Sequence, residues 1–432
     1  MEDATPAKSD TTKPVRFTAH LPSILGKLGP GLVTGAADDD PSGIATYSQV
    51  GAQYGYAIGW TLVFSYPLMA AIQEIAARIG CTTGHGIATN LRRHYPRWIL
   101  DIVVITLLIA NVINLGADIA AMGEAAKMLV GGPTQVWIVA VAILSLAAEI
   151  WLSYARYASV LKWLTLSLFA YVATVLVSHV DLKAAFVGAV VPQLGLGPAA
   201  MTALVAVLGT TISPYLFFWQ SSQEVEELER RNHKPLYIAP RAAGAELARI
   251  RTDTLIGMGF SNLIALFIVV ATAATLHSHG IRNIDTGVQA AQALAPIAGR
   301  FASAIFAVGI IGTGLLALPV LAGSAAYAVG ETFRWNTGLE RKPRQARAFY
   351  GVIAGATLLG VALAFSPISP MKALYWSAVV NGVLAGPLML IMMLIASNPR
   401  AMGRLTLPRG LKIVGWIATV AMCAAAVGMF VS

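Results

Sequence analysis

Apolar blocks of about 20 residues or more recur along this chain, separated by short charged loops. That is the length a helix needs to cross about 30 Å of hydrocarbon, and it rules out a single water-soluble core. Of the 432 residues, 56% are hydrophobic and only 12% are charged, against about 25% charged in ordinary globular chains. The fold class expected is all-α integral membrane, with eleven transmembrane helices at roughly 27–52, 55–79, 98–128, 134–152, 157–179, 198–225, 253–277, 299–330, 347–366, 371–396 and 411–431.

The net charge of +9 has a topological origin. Lys and Arg crowd into alternate loops, including Arg92, Arg93, Arg230, Arg231, Arg341, Lys342 and Arg344, whereas Lys127, Lys183, Arg282, Arg300 and Lys372 fall on the opposite side. The positive-inside rule then places the N-terminus in the cytoplasm and the C-terminus outside an inner membrane. No nucleic-acid partner is needed to explain the charge, and a monomer suffices. Lys162, inside the fifth span, is expected to snorkel to the cytoplasmic face. The first apolar block carries three aspartates, unlike a signal-peptide core, so no cleavage is expected. Cys81 and Cys423 lack CxxC spacing, so neither a disulfide nor a thiolate metal site is expected.

Two spans differ from the rest. TGAADDDPSGIATYSQ (34–49) and GTTISPYLFFWQSS (209–222) each place a proline after polar residues in mid-membrane. Proline removes a backbone donor and clashes with the preceding turn. In lipid, such a break survives only where it is buried in protein or lines a cavity. The breaks open spans 1 and 6, and each broken span precedes four continuous ones. An odd number per half makes the halves face opposite ways, the pattern of a five-plus-five inverted repeat. The expected division is a cytoplasmic tail at 1–26, a first repeat at 27–179, an outer connecting loop at 180–197, a second repeat at 198–396 and an eleventh span within 397–432. The charged stretch 222–253 is expected to be a cytoplasmic loop.

Asp38, Asp39 and Asp40 carry the chemistry of the first break. An ionised carboxylate in mid-membrane costs on the order of 3 kcal/mol, so three cannot all face lipid. They could hydrate a vestibule or cap the half-helix beginning at Ser42, since Asp is a favoured N-cap. The sharper expectation is that Asp40 binds a cation together with freed backbone carbonyls, with Thr211 and Ser213 adding hydroxyl oxygens. Such a hard oxygen site suits Mg²⁺ or Mn²⁺.

Other intramembrane polar residues are candidates for an ion pathway. Asp118 and Asn111 lie within span 3, Glu74 and Gln73 near the inner end of span 2, and Asn381 in span 10. A helix-to-helix hydrogen bond would explain Asp118 and Asn381 equally well, and an interfacial position would explain Glu74. His277 and His279 make an incomplete metal site by themselves.

The two broken motifs at this spacing resemble the NRAMP family of proton-coupled divalent metal transporters, whose first-span core is Asp-Pro-Gly-Asn and whose sixth-span core is Met-Pro-His. The resemblance runs through most of the chain. It implies a LeuT-like fold with broken helices 1 and 6, alternating access, and a metal site shared between the breaks. Of that ligand set only Asp40 is kept: Gly43 stands in place of the Asn and Ser213 in place of the Met, and Ser42, Thr211 and Asn381 complete the expected surroundings. Losing the thioether implies a larger, harder site, similar to the NRAMP-related branch that carries hydrated ions such as Mg²⁺. The family's two sixth-span histidines correspond to Tyr215 and Gln220, neither of which titrates near neutral pH, so proton coupling is not expected. A small-anion carrier for a bicarbonate-like solute and a non-transporting membrane sensor are the alternatives. The divalent cation is expected as substrate, with no resident cofactor and no enzymatic step.

Overall fold

The computed structural model describes residues 30–151, 164–193, 195 and 197–432. Lys162 and the 1–26 tail lie outside them. The described residues form fifteen principal helices: α1 (Pro30–Asp38), α2 (Pro41–Tyr54), α3 (Trp60–Thr83), α4 (Ile87–His94), α5 (Arg97–Val130), α6 (Thr134–Trp151), α7 (Phe169–Val177), α8 (Leu182–Val190), α9 (Pro198–Thr211), α10 (Pro214–Arg230), α11 (Ala243–Thr275), α12 (Ala302–Phe333), α13 (Arg347–Ala364), α14 (Pro370–Ser397) and α15 (Arg409–Val431).

Among the described residues, nine helical stretches are long and apolar enough to cross a membrane. The broken pair α1–α2 and the short apolar helix ending at Val177 stand where spans 1 and 5 are expected. The outer faces of these helices are greasy. On α5, Trp98, Ile102, Ile105 and Ile109 are exposed, whereas Asn111, Asn114 and Asp118 are buried. A helix with apolar residues turned outward and polar ones inward inverts the soluble pattern, as a bilayer solvent requires.

Local chemistry sets the helix ends. Proline occupies the first turn of α2, α9, α10 and α14, where its missing N–H would be unsatisfied anyway. Gly84, with φ +68°, closes α3 in the left-handed conformation that glycine adopts without a Cβ penalty.

α5 sits at the centre, packed against α6, α12, α13 and α14. α9 packs against α2 and α14, and α10 against α1 and α3, so the two breaks face each other. Glycine permits the closest crossings. A Cβ on Gly35 of α1 would lie 2.3 Å from the carbonyl oxygen of Gly257 on α11. A Cβ on Gly209 of α9 would lie 2.1 Å from the carbonyl oxygen of Ala378 on α14. Small residues draw helices together where lipid offers no hydrophobic drive.

The expected 222–253 loop is shorter than its charge suggested: α10 continues to Arg230 and α11 starts at Ala243. The charges pair with one another. Arg249 bridges Glu224 at 2.5 Å and Glu246 at 2.9 Å, and Arg231 holds Glu227 at 2.5 Å. Helical turns that looked like a solvated loop are instead stitched into one network.

Candidate metal site between the broken helices

The first helix breaks at Asp39 and Asp40, and the second at Ile212 and Ser213. Asp40 is the N-cap of α2 and is 1% exposed. Its Oδ1 accepts from the Gly43 backbone N–H at 2.7 Å and from the Ser42 hydroxyl at 2.9 Å. Its Oδ2 accepts from Asn114 Nδ2 on α5 and from the Tyr215 hydroxyl on α10, each at 3.2 Å. The observed capping role thus falls on the carboxylate expected to bind a cation. Helices α2, α5 and α10 converge on it.

The other expected residues divide into two groups. Ser42, Gly43 and Tyr215 sit at Asp40. A Cβ on Gly43 would be 3.2 Å from Thr210 Oγ1 and 3.4 Å from Asp40 Oδ1, so any larger residue here would project its side chain into the site. Thr211 and Ser213 are buried at the second break, but their hydroxyl protons are given to carbonyls of α9. Thr211 donates to the Val207 carbonyl at 2.9 Å, and Ser213 donates to the carbonyls of Gly209 and Thr210, each at 2.9 Å. Only their lone pairs remain for a cation.

Asn381 is buried on α14 with its Nδ2 unpartnered. Asn111 donates to the Leu321 carbonyl at 2.9 Å. Asp118 is fully buried, lies near Asp40 and the Ser42 backbone N–H, and has neither oxygen in hydrogen-bonding geometry. Gln220 lies one layer away, where its amide oxygen accepts from Thr34 of α1 and its Nε2 reaches Glu224 at 3.4 Å. Glu74 makes its side-chain contacts within its own helix. It is buried and paired with Arg78 at 2.7 Å one turn along α3. His277 and His279 each contact a backbone carbonyl, of Ala52 and Thr275 respectively.

Asp38 and Asp39 do not hydrate a vestibule, since both are buried. Both face one hydroxyl, Ser261 Oγ on α11, which lies 2.6 Å from Asp38 Oδ2 and 3.0 Å from Asp39 Oδ1. A hydroxyl has one proton to give, so it serves one carboxylate at a time.

Sequence reasoning missed Asn114, Ser261 and Glu331. Asn114 was findable, because it shares a face of α5 with Asn111 and Asp118 at helical spacing. Ser261 and Glu331 carry no comparable signal. Glu331 on α12 accepts from the Thr89 backbone N–H of α4 at 2.8 Å and from the Ser222 hydroxyl of α10 at 3.1 Å, while Arg92 reaches its carbonyl. Such contacts exist only once the bundle is packed.

The two ends of the bundle differ. At the end carrying Glu331 and Arg249, α10 is tied to α4, α11 and α12 by these contacts. The other end holds a cavity of about 480 Å³ lined by Gln49, Gln53, Thr202, Asp285, Lys372 and Tyr375, among others. Lys372 bridges Asp285 at its rim at 3.1 Å. Gln49 of α2 grips the neighbouring loop with both ends of its amide: Nε2 donates to the Arg282 carbonyl at 3.3 Å, and Oε1 accepts from the Ile284 N–H at 2.8 Å.

Among the described residues, no three His, Cys, Asp or Glu side chains gather as a metal centre. A cation at Asp40 would therefore draw most of its oxygens from amides, hydroxyls and carbonyls.

Known proteins of the same build exist. The chain is 26% identical over 404 residues to the divalent metal cation transporter MntH of Klebsiella pneumoniae (strain 342), covering 91% of each chain. It is 26% identical over 416 residues to the protein of that name from Deinococcus radiodurans, covering 93% of this chain and 88% of that one. A crystal structure of the Eremococcus coleocola manganese transporter superposes with a TM-score of 0.74 at 15% identity, covering 96% of this chain and 88% of that one. The inward-facing conformation of Mhp1 superposes with a TM-score of 0.51 at 13% identity, covering 93% and 90%. These structural likenesses establish the LeuT-like fold. Residues 31–432 match the family described as natural resistance-associated macrophage protein-like, and the chain belongs to that NRAMP family.

Proposed function

We propose that this protein carries a divalent metal cation, Mg²⁺ or Mn²⁺, across the cytoplasmic membrane by alternating access, with Asp40 as the charged ligand. The observation that carries this reading is the position of Asp40: a carboxylate buried where the two broken helices meet. Freed carbonyls at the breaks and the hydroxyls of Ser42, Thr211 and Ser213 supply further hard oxygens. The MntH relatives, divalent metal cation transporters, support a divalent cation as cargo. In this reading 27–179 and 198–396 are inverted repeats joined by the outer loop 180–197, and the 397–432 segment adds the eleventh span. The N-terminus is cytoplasmic, the C-terminus is outside, and the 480 Å³ cavity is the outer vestibule. No enzymatic step is involved.

An anion would find the first turn of α10 without a side-chain cap. Asp40, however, sits 3.2 Å from the Tyr215 hydroxyl on that same turn, and its charge repels anions from it. The deciding experiment is uptake of Mn²⁺, Mg²⁺, Ca²⁺ and bicarbonate into liposomes containing the purified protein. Bicarbonate uptake without divalent metal would overturn the cation reading.

Selectivity follows from position 213. Thioether sulfur favours softer transition ions over Mg²⁺ and Ca²⁺, so Ser213→Met is expected to raise Mn²⁺ or Cd²⁺ uptake relative to Mg²⁺ by roughly tenfold. A competition assay with Mg²⁺ in excess reads this directly. An unchanged ratio would remove position 213 from the cation's contacts.

Proton coupling is not expected, because the aligned histidine positions hold Tyr215, bonded to Asp40, and Gln220, bonded to Thr34. Metal influx should leave the internal pH of the liposomes unchanged. Acidification in proportion to metal uptake would refute this.

A further inference from the structure

The central helix α5 presents three polar side chains on one face, at positions 111, 114 and 118. The stripe covers about 10 Å along the helix at 1.5 Å per residue. All three residues are buried, and all three have acceptor oxygens without a hydrogen-bond partner: Asn111 Oδ1, Asn114 Oδ1 and both oxygens of Asp118. A buried polar atom without a partner is costly and uncommon in native proteins. Here the unmatched atoms are all acceptors, so what they lack is a proton donor or a cation.

The stripe meets Asp40 at its middle. Asn114 Nδ2 is 3.2 Å from Asp40 Oδ2, which places the amide beside the carboxylate, and Asp118 lies against the start of α2 near Asp40 and the Ser42 N–H. At the second break the Ser213 and Thr211 hydroxyls give their protons to carbonyls of α9 and keep only lone pairs for a ligand. An Asn amide carries a donor and an acceptor on one planar group. Rotating it about its last bond exchanges them, so Asn114 can hold Asp40 through Nδ2 or offer Oδ1 to a cation seated beside it.

We infer that α5 adds side-chain ligands to those of the two breaks: Asn114 Oδ1 and the Asp118 carboxylate complete, with Asp40, a hard oxygen site for the divalent cation. This rests on the reading that Asp40 holds such a cation. Two carboxylates and an amide oxygen suit a 2+ ion that keeps part of its water shell. The pair also accounts for a buried carboxylate whose one nearby donor is the Ser42 N–H: a bound cation would offset its charge.

The test is calorimetric titration of the purified full-length protein with Mn²⁺ and with Mg²⁺, alongside thermal unfolding with and without each ion. Asp118→Asn and Asn114→Leu are each expected to weaken binding of both ions by tenfold or more and to shrink the ion-induced rise in unfolding temperature. Without added ion, Asp118→Asn should unfold at the same temperature as the parent or higher, because it removes a buried uncompensated charge. A merely structural Asp118 would instead lower that temperature and leave affinity intact. Asn114→Asp, of equal size and bearing oxygens at both positions, should keep binding and guards against a folding defect in the Leu variant. Parent-like affinity in Asp118→Asn and Asn114→Leu, together with loss of binding in Asp40→Asn, would overturn the role of α5 while sparing the Asp40 site. Parent-like affinity in Asp40→Asn would overturn the cation reading itself.

Discussion

Asp40→Ala is expected to abolish divalent cation uptake, with binding weakened about a hundredfold or more, equivalent to about 2.7 kcal/mol. The substitution removes two things at once. It takes away the charged ligand, and it takes away the N-cap of α2, whose loss alone costs about 1 kcal/mol. Asp40→Asn separates them. Asn caps a helix as well as Asp does and can still meet the Gly43 N–H and the Ser42 hydroxyl, so it should fold like the parent yet bind metal poorly. Uptake by the Asn variant at the parent rate would mean that the Asp40 charge plays no part in transport. Loss of uptake with a normal unfolding temperature would isolate the charge as the cause.

The second large effect concerns backbone contact. Gly209→Ala is expected to destabilise the protein by about 1–3 kcal/mol, the usual cost of overpacking. The added Cβ would fall 2.1 Å from the Ala378 carbonyl oxygen and 2.3 Å from the Gly382 nitrogen, and backbone cannot swing aside as a flexible side chain can. The same change at Gly351, on the exposed flank of α13, places its Cβ in open space. There alanine should be neutral or stabilising by up to about 1 kcal/mol, from helix propensity. Thermal unfolding in detergent compares the two. Equal effects would show that the α9–α14 contact is looser than the geometry indicates. Because α9 is half of a broken span, Gly209→Ala should also slow uptake, by displacing the second break from α14.

Much of this architecture could be read from the sequence because the bilayer leaves few choices. Apolar blocks of this length read as helices, which satisfy their own backbone in lipid, and Pro41 and Pro214 mark breaks because polar residues precede them, whereas Pro67, Pro319 and Pro387 stand inside continuous helices. The ends of α5, α13, α14 and α15 fall within a few residues of the expected ones. The start of α11 does not. Arg249, Arg251 and Asp253 made its first turns look solvated; Arg249 is in fact paired with Glu224 of α10, Asp253 accepts from the Gly31 N–H of α1, and only Arg251 stays exposed. The site was legible in the same uneven way. Asp40 stood out by cost alone, and Tyr215 by its place after the proline. That Ser213 and Thr211 would spend their protons on carbonyls of α9 could not be read, because a hydroxyl's choice between nearby carbonyls and a distant partner depends on rotamer. The pairing of Asp38 and Asp39 with Ser261 required knowing that α1 lies on α11, and that follows from the Gly35–Gly257 contact rather than from any motif.

The helix cap formed by Asp40 bears on how firmly this protein can hold its cargo. The carboxylate that would grip a cation also completes the first turn of α2, through the Gly43 N–H and the Ser42 hydroxyl. In the proposed site, a cation that drew on Oδ1 would compete with the helix for it. A cap of about 1 kcal/mol that must be loosened on loading weakens retention by a factor of about five, and re-forming it on unloading returns that energy at the moment of release. In the proposed carrier, whose turnover depends on letting go as much as on capture, the helix end would act as a built-in limit on residence time.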